Sequence, residues 1–311
     1  MELNFQTKRM DVFLFATRVA TEAKALDYAF ELGLVRKDAP TCPLCHNEMK
    51  WERGIKRRGV DGIWRCRDRS HRRISSTLFD GSIFQQFYVT VSSFLKTLYC
   101  IAQGFTIDET VTNTKLSRVT VVKIHQKIRE LMMQYNQIHK KRIGGAGMVV
   151  EIDECHLHSR KYGVGRVESS ELWWVFGGIC RQTHEMFVVV VENRNQNTLS
   201  KAVFENIEKD SFIYSDCWRG YRKLSQMGLG FVHQTVSHSV NFVNPLDRDV
   251  YTNTVERAWR SLREDIPKQV GLDAVESYIA RFMFFMNAHA KDTQSKFNAM
   301  VDLCRMFFPV N

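Results

Sequence analysis

Three runs of apolar and β-branched residues, separated by short polar segments, constrain the fold of this chain more than any other feature. They are GMVVEIDECHL, ELWWVFGGIC and MFVVVVEN, all between residues 147 and 193. Each run is short enough for a strand and rich in residues that favour strands. A segment with helical periodicity, NTLSKAVFENIEK, and a further strand-like run, SFIYSDCW, come next. This order predicts an α/β domain with a mixed sheet flanked by helices.

Three acidic residues occupy distinctive places in this predicted fold. Asp153 and Asp216 lie in strand-like runs, and Glu256 lies in TNTVERAWRSLR, which has helical periodicity. On adjacent strands the two aspartates would repel each other, and a divalent cation would offset that repulsion. We therefore predict a Mg²⁺ or Mn²⁺ site formed by Asp153, Asp216 and Glu256, of the kind that catalyses phosphoryl transfer. Arg263 follows on the same helix, near the face of Glu256, and is a candidate phosphate ligand.

Each acidic residue also has a less specific interpretation. A single carboxylate is more often a solvated side chain or a helix cap than a metal ligand, and Glu151 and Glu154 flank Asp153. Asn253 lies one turn before Glu256 and could supply a neutral oxygen ligand in its place. The strand setting of the two aspartates favours the metal site over these alternatives.

The cysteine spacing predicts a second metal site. Cys42 and Cys45 form a Cys-x2-Cys pair in TCPLC, and Cys66 and His71 follow in WRCRDRSH. Zn²⁺ takes four such ligands in a tetrahedron, and two pairs on separate hairpins provide them. His46 competes with His71 for the fourth position, and four ordinary residues are the alternative to a structural zinc. Eight cysteines are too few for a disulfide scaffold in a chain of this length, which favours a reducing compartment.

Positive charge is concentrated in the same predicted zinc ribbon. The whole chain has 44 Lys and Arg against 34 Asp and Glu, a net charge of +10, which favours polyanionic partners such as nucleic acid. Arginine suits bidentate phosphate contacts, and a rigid zinc module would order several arginines on one surface. The predicted DNA-binding residues of this region are Arg57, Arg58, Arg65, Arg67, Arg72 and Arg73. A solvated basic face without a partner is the alternative.

The remaining patterns divide the chain into four regions. Amphipathic spacing predicts helices over about residues 11–34, 87–102 and 117–139, the last with Ser117 as its N-cap. The segment from 104 to 128 has the pattern of a helix-turn-helix, which would enter a major groove, although many helical units of this size have no such role. The predicted regions are an N-terminal helix (1–37), a zinc ribbon (38–80), a helical region (81–143) and the α/β domain (144–311).

Together these motifs resemble those of Merlin-type DDE transposases and their bacterial insertion-sequence relatives with ISXO2-like transposase domains. The resemblance covers most of the chain and rests on CPLC, STLFDGS, EIDE, YSDCWRGY, and VSHSVNFVNP leading into TNTVERAWRSLR. It implies an RNase H-like domain in which Asp153, Asp216 and Glu256 are the catalytic triad. It also implies cleavage of transposon ends, joining of their 3′ hydroxyls to target DNA, and at least a homodimer on double-stranded DNA. His71 stands where relatives commonly have the last zinc cysteine, and histidine is also a competent zinc ligand.

Two other functions are compatible with the sequence. A domesticated, transposase-derived DNA-binding protein would keep the ribbon and the fold without transposition. A zinc-dependent interaction adaptor would show no salt-sensitive affinity for DNA. The sequence contains neither an apolar run of about 18 residues nor a signal-peptide pattern, so we expect no membrane partner. The expected location is nuclear in a eukaryote, and cytoplasmic at the nucleoid in a bacterium.

Overall fold

The computed structural model of the protein describes residues 12–57, 60–158, 172–216, 219–221, 224–236, 252–267 and 270–310. The chain divides into two compact units. The first unit contains residues up to 131 and from 290 onward, and the second unit spans 132–289. In the described part of the chain, no helix combines the length and the hydropathy that a bilayer span requires.

The elements of the first unit begin with helices, continue with a small sheet and return to helices. They are α1 (Val12–Arg18), α2 (Glu22–Glu31), β1 (Lys50–Arg57), β2 (Val60–Arg65), β3 (Ser75–Ser76), α3 (Val91–Gln103), α4 (Ile107–Thr114) and most of α5 (Arg118–Ile138). The sheet is antiparallel, in the order β1-β2-β3.

The second unit alternates strands and helices after the end of α5. Its elements are β4 (Ile143–Gly144), β5 (Val149–His158), β6 (Leu172–Cys180), β7 (Met186–Val191), α6 (Gln196–Asn206), β8 (Ile207–Glu208), β9 (Phe212–Asp216), β10 (Val232–Val236), α7 (Asn253–Asp265) and α8 (Leu272–Asn287). The last helix, α9 (Thr293–Phe307), belongs to the first unit. There the ring of Phe297 packs against the ring of Phe15 in α1, with centroids 5.6 Å apart.

The main sheet of the second unit is mixed, as the sequence predicts. Its strand order is β10-β9-β5-β6-β7. The three strands of the apolar runs, β5, β6 and β7, pair antiparallel in sequence order. After helix α6 the chain adds β9 parallel to β5 and then β10 parallel to β9. The prediction of a mixed α/β sheet flanked by helices is therefore confirmed.

Apolar layers cover both faces of this sheet. Successive residues of a strand point to opposite faces. In β5, Val150 and Ile152 pack in the layer that contains α6, whereas Cys155 and Leu157 pack in the layer that contains α7 and α8. The odd-numbered positions of β5, which include Asp153, therefore face α7.

Hydroxyl side chains set the helix starts, and one predicted helix is interrupted for that reason. The sequence predicts a continuous helix over about 11–34, but α1 and α2 are separate because Thr21 caps the start of α2. Similarly, the helix predicted over 87–102 begins only after its N-cap, Thr90. The predicted N-cap at Ser117 is confirmed, since its hydroxyl accepts a hydrogen bond from the backbone N–H three residues later.

Candidate active site and zinc centre

The two aspartates of the predicted metal site lie on neighbouring strands. The parallel register of β5 and β9 pairs Val149 with Phe212 and Glu151 with Tyr214. Asp153 and Asp216 each follow the last of these pairs by two residues, and the charge of Asp216 acts on Asp153. The predicted sheet thus brings together two carboxylates that are far apart in the sequence.

Helix α7 carries Glu256 to the same region of the second unit. The buried residues of α7, Val255, Ala258, Trp259 and Leu262, follow the spacing of one helix face, while Glu256 is exposed. A cleft of about 670 Å³ opens between this helix and the end of the sheet. Its lining includes Asp153, Glu154, Glu256, Trp259, Arg260 and Arg263. Acidic and basic side chains therefore share one cleft, and Arg263 lies where its spacing from Glu256 predicts.

The pKa of Asp153 is affected by the charges of the other two acidic residues of the predicted metal site. Burial raises the pKa of Asp153 to about 7, and the negative charges of Glu154, Asp216 and Glu256 contribute to that rise. Asp216 is not among the residues that line the cleft, but it is close enough to act on Asp153. A site with this much mutual repulsion favours a bound cation, and carboxylate oxygens are the ligands that Mg²⁺ and Mn²⁺ prefer.

Asp153, Asp216 and Glu256 are less tightly grouped than the cysteine and histidine residues of the predicted zinc site. In the described residues, the only group of three or more His, Cys, Asp or Glu whose ligand atoms all lie within 4.8 Å of one another is the cysteine and histidine group discussed below. Asp153, Asp216 and Glu256 do not meet that limit as a set.

A tryptophan that the sequence patterns did not single out holds Asp153 in place. Trp259, on the buried face of α7, donates a hydrogen bond from Nε1 to Oδ2 of Asp153 at 3.1 Å. Gly177 of β6 pairs directly with Asp153 in the sheet. A Cβ at Gly177 would lie 2.6 Å from Cη2 of Trp259, so the glycine makes the space that the indole ring occupies. The position of Trp259, one turn after Glu256 in TNTVERAW, is the only sequence signal for this role.

A fourth carboxylate, Glu154, directly follows Asp153 in β5 and lines the same cleft. Its Oε1 is buried and has no hydrogen-bond partner among the described residues. Burial raises the pKa of Glu154, and Asp216 raises it further. Tyr221 lies nearby, fully buried, and burial raises its pKa well above the usual value, as does the charge of Glu154. The EIDE motif thus contains a second acidic side chain of the site, which sequence reasoning treated only as a neighbour of Asp153.

The predicted zinc ligands form a tight group in the first unit. Cys42, Cys45, Cys66 and His71 each offer a ligand atom, and these atoms all lie within 4.8 Å of one another. The sulfurs of Cys45 and Cys66 are 3.5 Å apart. His46, the competing candidate, is exposed and is not a member of the group. The geometry therefore selects His71 over His46.

This group fits zinc in chemistry as well as in spacing. Nδ1 of His71 is buried and has no hydrogen-bond partner among the described residues, as expected of a nitrogen that would bind a metal. Backbone N–H groups, first that of Cys45, lower the pKa of the Cys42 thiol, which favours the thiolate that binds metals, whereas burial raises the pKa of the Cys66 thiol. The apolar cluster around the group is small, with Cys42, Met49 and Cys66 as its buried members. A bound zinc ion would therefore supply the stability that a larger hydrophobic core gives to other domains.

The arginines predicted to bind DNA differ in their surroundings. Arg65 pairs with Glu52 (Nε to Oε2, 2.8 Å), and Arg72 pairs with the same carboxylate at 3.7 Å. Arg67 and Arg73 are exposed. Arg58 and the side chain of Arg57 lie outside the described residues. In this region, Arg67 and Arg73 are thus the better placed for a phosphate.

The helix-turn-helix candidate consists of α4 and α5, with residues 115–117 between them. Thr106 and Glu109 form a capping box at the start of α4, and Lys115 ends it in the left-handed conformation (φ 59°). At the start of α5, Val119 and Val122 are exposed apolar residues. The two helices and their short turn match the predicted pattern.

The second unit matches a known family. Residues 144–287 match the model of the ISXO2-like transposase domain. Among solved structures, the BIV integrase catalytic core domain is similar at 14% identity (TM-score 0.28), over 42% of this chain and 80% of that chain. The HTLV-2 integrase catalytic core domain in complex with magnesium is similar at 11% identity (TM-score 0.30), over 48% and 89%. The Mos1 pre-cleavage transpososome is similar at 10% identity (TM-score 0.30), over 68% and 75%.

Structural similarity at TM-scores this low supports no conclusion about the fold or the chemistry of this chain. The comparison with curated proteins gave no match. The family assignment therefore depends on the match over residues 144–287, which include Asp153, Asp216 and Glu256. This part of the chain belongs to the ISXO2-like transposase domain family.

Proposed function

We propose that this protein is a DDE transposase that binds transposon-end DNA, cleaves it and joins the 3′ hydroxyls to target DNA. The observation that carries this proposal is the convergence of Asp153, Asp216 and Glu256, from two adjacent strands and one helix, within a transposase-family domain. The order of three antiparallel strands, a helix and two parallel strands supports an RNase H-like classification of that domain.

The proposed cofactor is a pair of Mg²⁺ or Mn²⁺ ions held by Asp153, Asp216 and Glu256. When bound, these ions would activate the attacking oxygen and stabilise the leaving oxygen. The mutual repulsion of these carboxylates, which contributes to the raised pKa of Asp153, supports a cation site here.

The other residues of the cleft would orient the substrate and the ligands. Trp259 fixes Oδ2 of Asp153 by a hydrogen bond, and the carboxylate so positioned would hold a cation. Arg260 and Arg263 line the same cleft as Glu256, so a scissile phosphate could lie between the cations and these guanidinium groups. Arg263 is the phosphate ligand that we propose first.

The first unit would supply DNA affinity. We propose that its Cys42, Cys45, Cys66 and His71 bind a structural Zn²⁺, and that Arg57, Arg58, Arg65, Arg67, Arg72 and Arg73 contact phosphates of double-stranded DNA. Helix α5 of the helix-turn-helix pair is a second candidate for DNA contact. Because transposition joins two ends, we propose at least a homodimer on DNA. The compartment would be the one that holds the DNA, the nucleus in a eukaryote or the nucleoid in a bacterium.

The test is a cleavage and strand-transfer assay with the purified full chain and the repeats that flank its own genomic locus. Asp153→Asn, Asp216→Asn and Glu256→Gln should each lower the rate by more than about 100-fold, since even the outer-shell partners of metal ligands reach that range. Their DNA affinity should persist. Glu205→Gln, which changes an exposed glutamate on α6, is the matched control and should cut like the wild type.

Three outcomes would contradict parts of this proposal. Equal activity of Asp153→Asn and the wild type would reject the catalytic role of Asp153. Salt-sensitive DNA binding without any cleavage by the wild type would favour the domesticated DNA-binding protein. A wild type without salt-sensitive DNA affinity would favour the interaction adaptor.

A further inference from the structure

Glu151 is a buried carboxylate that the proposed chemistry leaves without a role. It lies on β5, two residues before Asp153 and on the same face, and its relative exposure is 0%. Its Oε2 accepts hydrogen bonds from the backbone N–H groups of Thr254 (2.8 Å) and Val255 (3.1 Å). Its Oε1 accepts one from the Thr254 hydroxyl at 2.9 Å and one from Nε of Arg181 at 2.6 Å. A carboxylate that accepts from all these donors has a fixed position.

These hydrogen bonds replace the usual cap of helix α7. The N–H groups in the first turn of a helix have no partner inside the helix, and the side chain of the N-cap residue normally accepts from one of them. In α7 the N-cap is Thr252, which makes no such side-chain bond. Glu151 accepts from the second and third N–H groups instead. Its negative charge at the positive end of the helix dipole strengthens the attachment.

The negative charge of Glu151 is paired with the positive charge of Arg181, which lies outside both β5 and α7. Arg181 follows the end of β6, and its side chain is 16% exposed. Its guanidinium also lies over the ring of Tyr214 in β9, 4.8 Å from the centroid. Glu151 therefore joins the start of α7 to three neighbouring strands of the sheet.

We propose that Glu151 is a positioning residue, which fixes Glu256 relative to Asp153 so that both can hold the same pair of cations. This inference rests on the proposed function. The two N–H groups from which Glu151 accepts belong to the residues immediately before Glu256, and Asp153 is the next residue of β5 on the same face. A shift in the start of α7 would therefore change the distance between the two proposed metal ligands.

Glu151→Gln in the full chain tests this inference. Glutamine keeps the size of the side chain but has only one acceptor oxygen, and its amide would point donors at other donors. We expect faster hydrogen exchange at the first amides of α7. Mn²⁺ affinity, measured by calorimetry without DNA, should fall by about 10–100-fold, the usual effect of removing an outer-shell partner. Cleavage at saturating DNA should slow by a similar factor, with DNA affinity unchanged.

The chain offers a matched control for this change. Glu22 of α2 also accepts from N–H groups in the first turn of a neighbouring helix, those of Val91 (2.6 Å) and Ser92 (3.0 Å) in α3, where the N-cap Thr90 accepts a further one. Glu22→Gln should speed exchange at the start of α3 and leave Mn²⁺ affinity and cleavage unchanged. If Glu151→Gln does not fold, Glu151→Asp keeps the charge and should give a smaller loss of Mn²⁺ affinity in a folded protein.

Wild-type Mn²⁺ affinity in a folded Glu151→Gln or Glu151→Asp variant would overturn the inference. Equal losses of Mn²⁺ affinity in Glu151→Gln and Glu22→Gln would also overturn it, because the effect would then be general destabilisation. Failure of the proposed function gives a different result. A wild type that binds Mn²⁺ but never cleaves DNA would refute the transposase activity, while the Mn²⁺ and exchange comparisons would still decide the role of Glu151.

Discussion

The absence of a side chain at Gly177 determines where Asp153 can be held. A Cβ at this position would lie 2.5 Å from the carbonyl oxygen of Phe187 and 2.6 Å from Cη2 of Trp259. The added methyl group would push against both the backbone of β7 and the indole, which would disturb the 3.1 Å hydrogen bond from Trp259 to Asp153. We expect Gly177→Ala to lower the free energy of unfolding by about 1–3 kcal/mol in urea titrations. Weaker Mn²⁺ binding should accompany this loss.

Gly271→Ala is the control for that prediction. Nothing lies within 4 Å of a Cβ built at Gly271, the N-cap of α8, so the added methyl group should have little effect on either measurement. If Gly177→Ala unfolds and binds Mn²⁺ like the wild type, Trp259 does not hold Asp153 in the way that the structure indicates.

Among single residues, the sequence predicts those that are unusual in their local setting. It does not predict residues whose role arises only from tertiary packing. Asp153 and Asp216 stand out because a carboxylate in an apolar strand is unusual. Trp259 and Gly177 have no such signal, because an aromatic residue on a helix and a glycine in a strand are ordinary. Only the register of β5 with β6 reveals that Gly177 lies opposite Asp153.

At the scale of elements, most strands and helices could be predicted, because periodicity and β-branched runs are local properties. Strands β6, β7 and β9 lie within the predicted segments, and β5, α6 and α7 extend beyond theirs by one or two residues. The break between α1 and α2 was not predicted, since the apolar spacing continues through it and only the hydroxyl of Thr21 ends the pattern. The capping of α7 by Glu151 was also beyond prediction, because the donor and the acceptor lie on different elements.

The zinc ribbon allows a prediction about an element rather than a single contact. His71→Ala should abolish the binding of about one Zn²⁺ per chain, because three cysteines leave the tetrahedron incomplete. The ribbon should then unfold, since its apolar cluster is too small to hold it together. Zinc content by mass spectrometry after dialysis, together with DNA affinity, measures both effects.

His46→Asn is the matched control for His71→Ala. His46 has a positive φ of 57°, which asparagine tolerates better than alanine, so the backbone should keep its conformation. We expect His46→Asn to retain zinc and DNA affinity. Loss of zinc in His46→Asn with retention in His71→Ala would reverse the assignment of the fourth ligand.

At the scale of the whole molecule, the sequence predicts regions but not the partners of distant segments. The second unit, 132–289, closely follows the family match over 144–287. The return of α9 to the first unit depends on packing such as that between Phe297 and Phe15, which lie near opposite ends of the chain. Helical periodicity predicts that α9 has an apolar face and says nothing about what that face meets.

The net charge of +10 leads to a prediction about the whole molecule and DNA. If the ribbon arginines bind phosphates, binding releases counterions, and the slope of log K against log salt becomes shallower by about 0.9 for each phosphate that a variant no longer neutralises. The double variant Arg67→Gln, Arg73→Gln should therefore reduce the slope by about 1–2 in binding titrations across salt concentrations. Lys201→Gln, Arg305→Gln removes the same charge from exposed sites on α6 and α9 and should leave the slope unchanged. Equal reductions in both double variants would mean that net charge, rather than phosphate binding by the ribbon, sets the affinity.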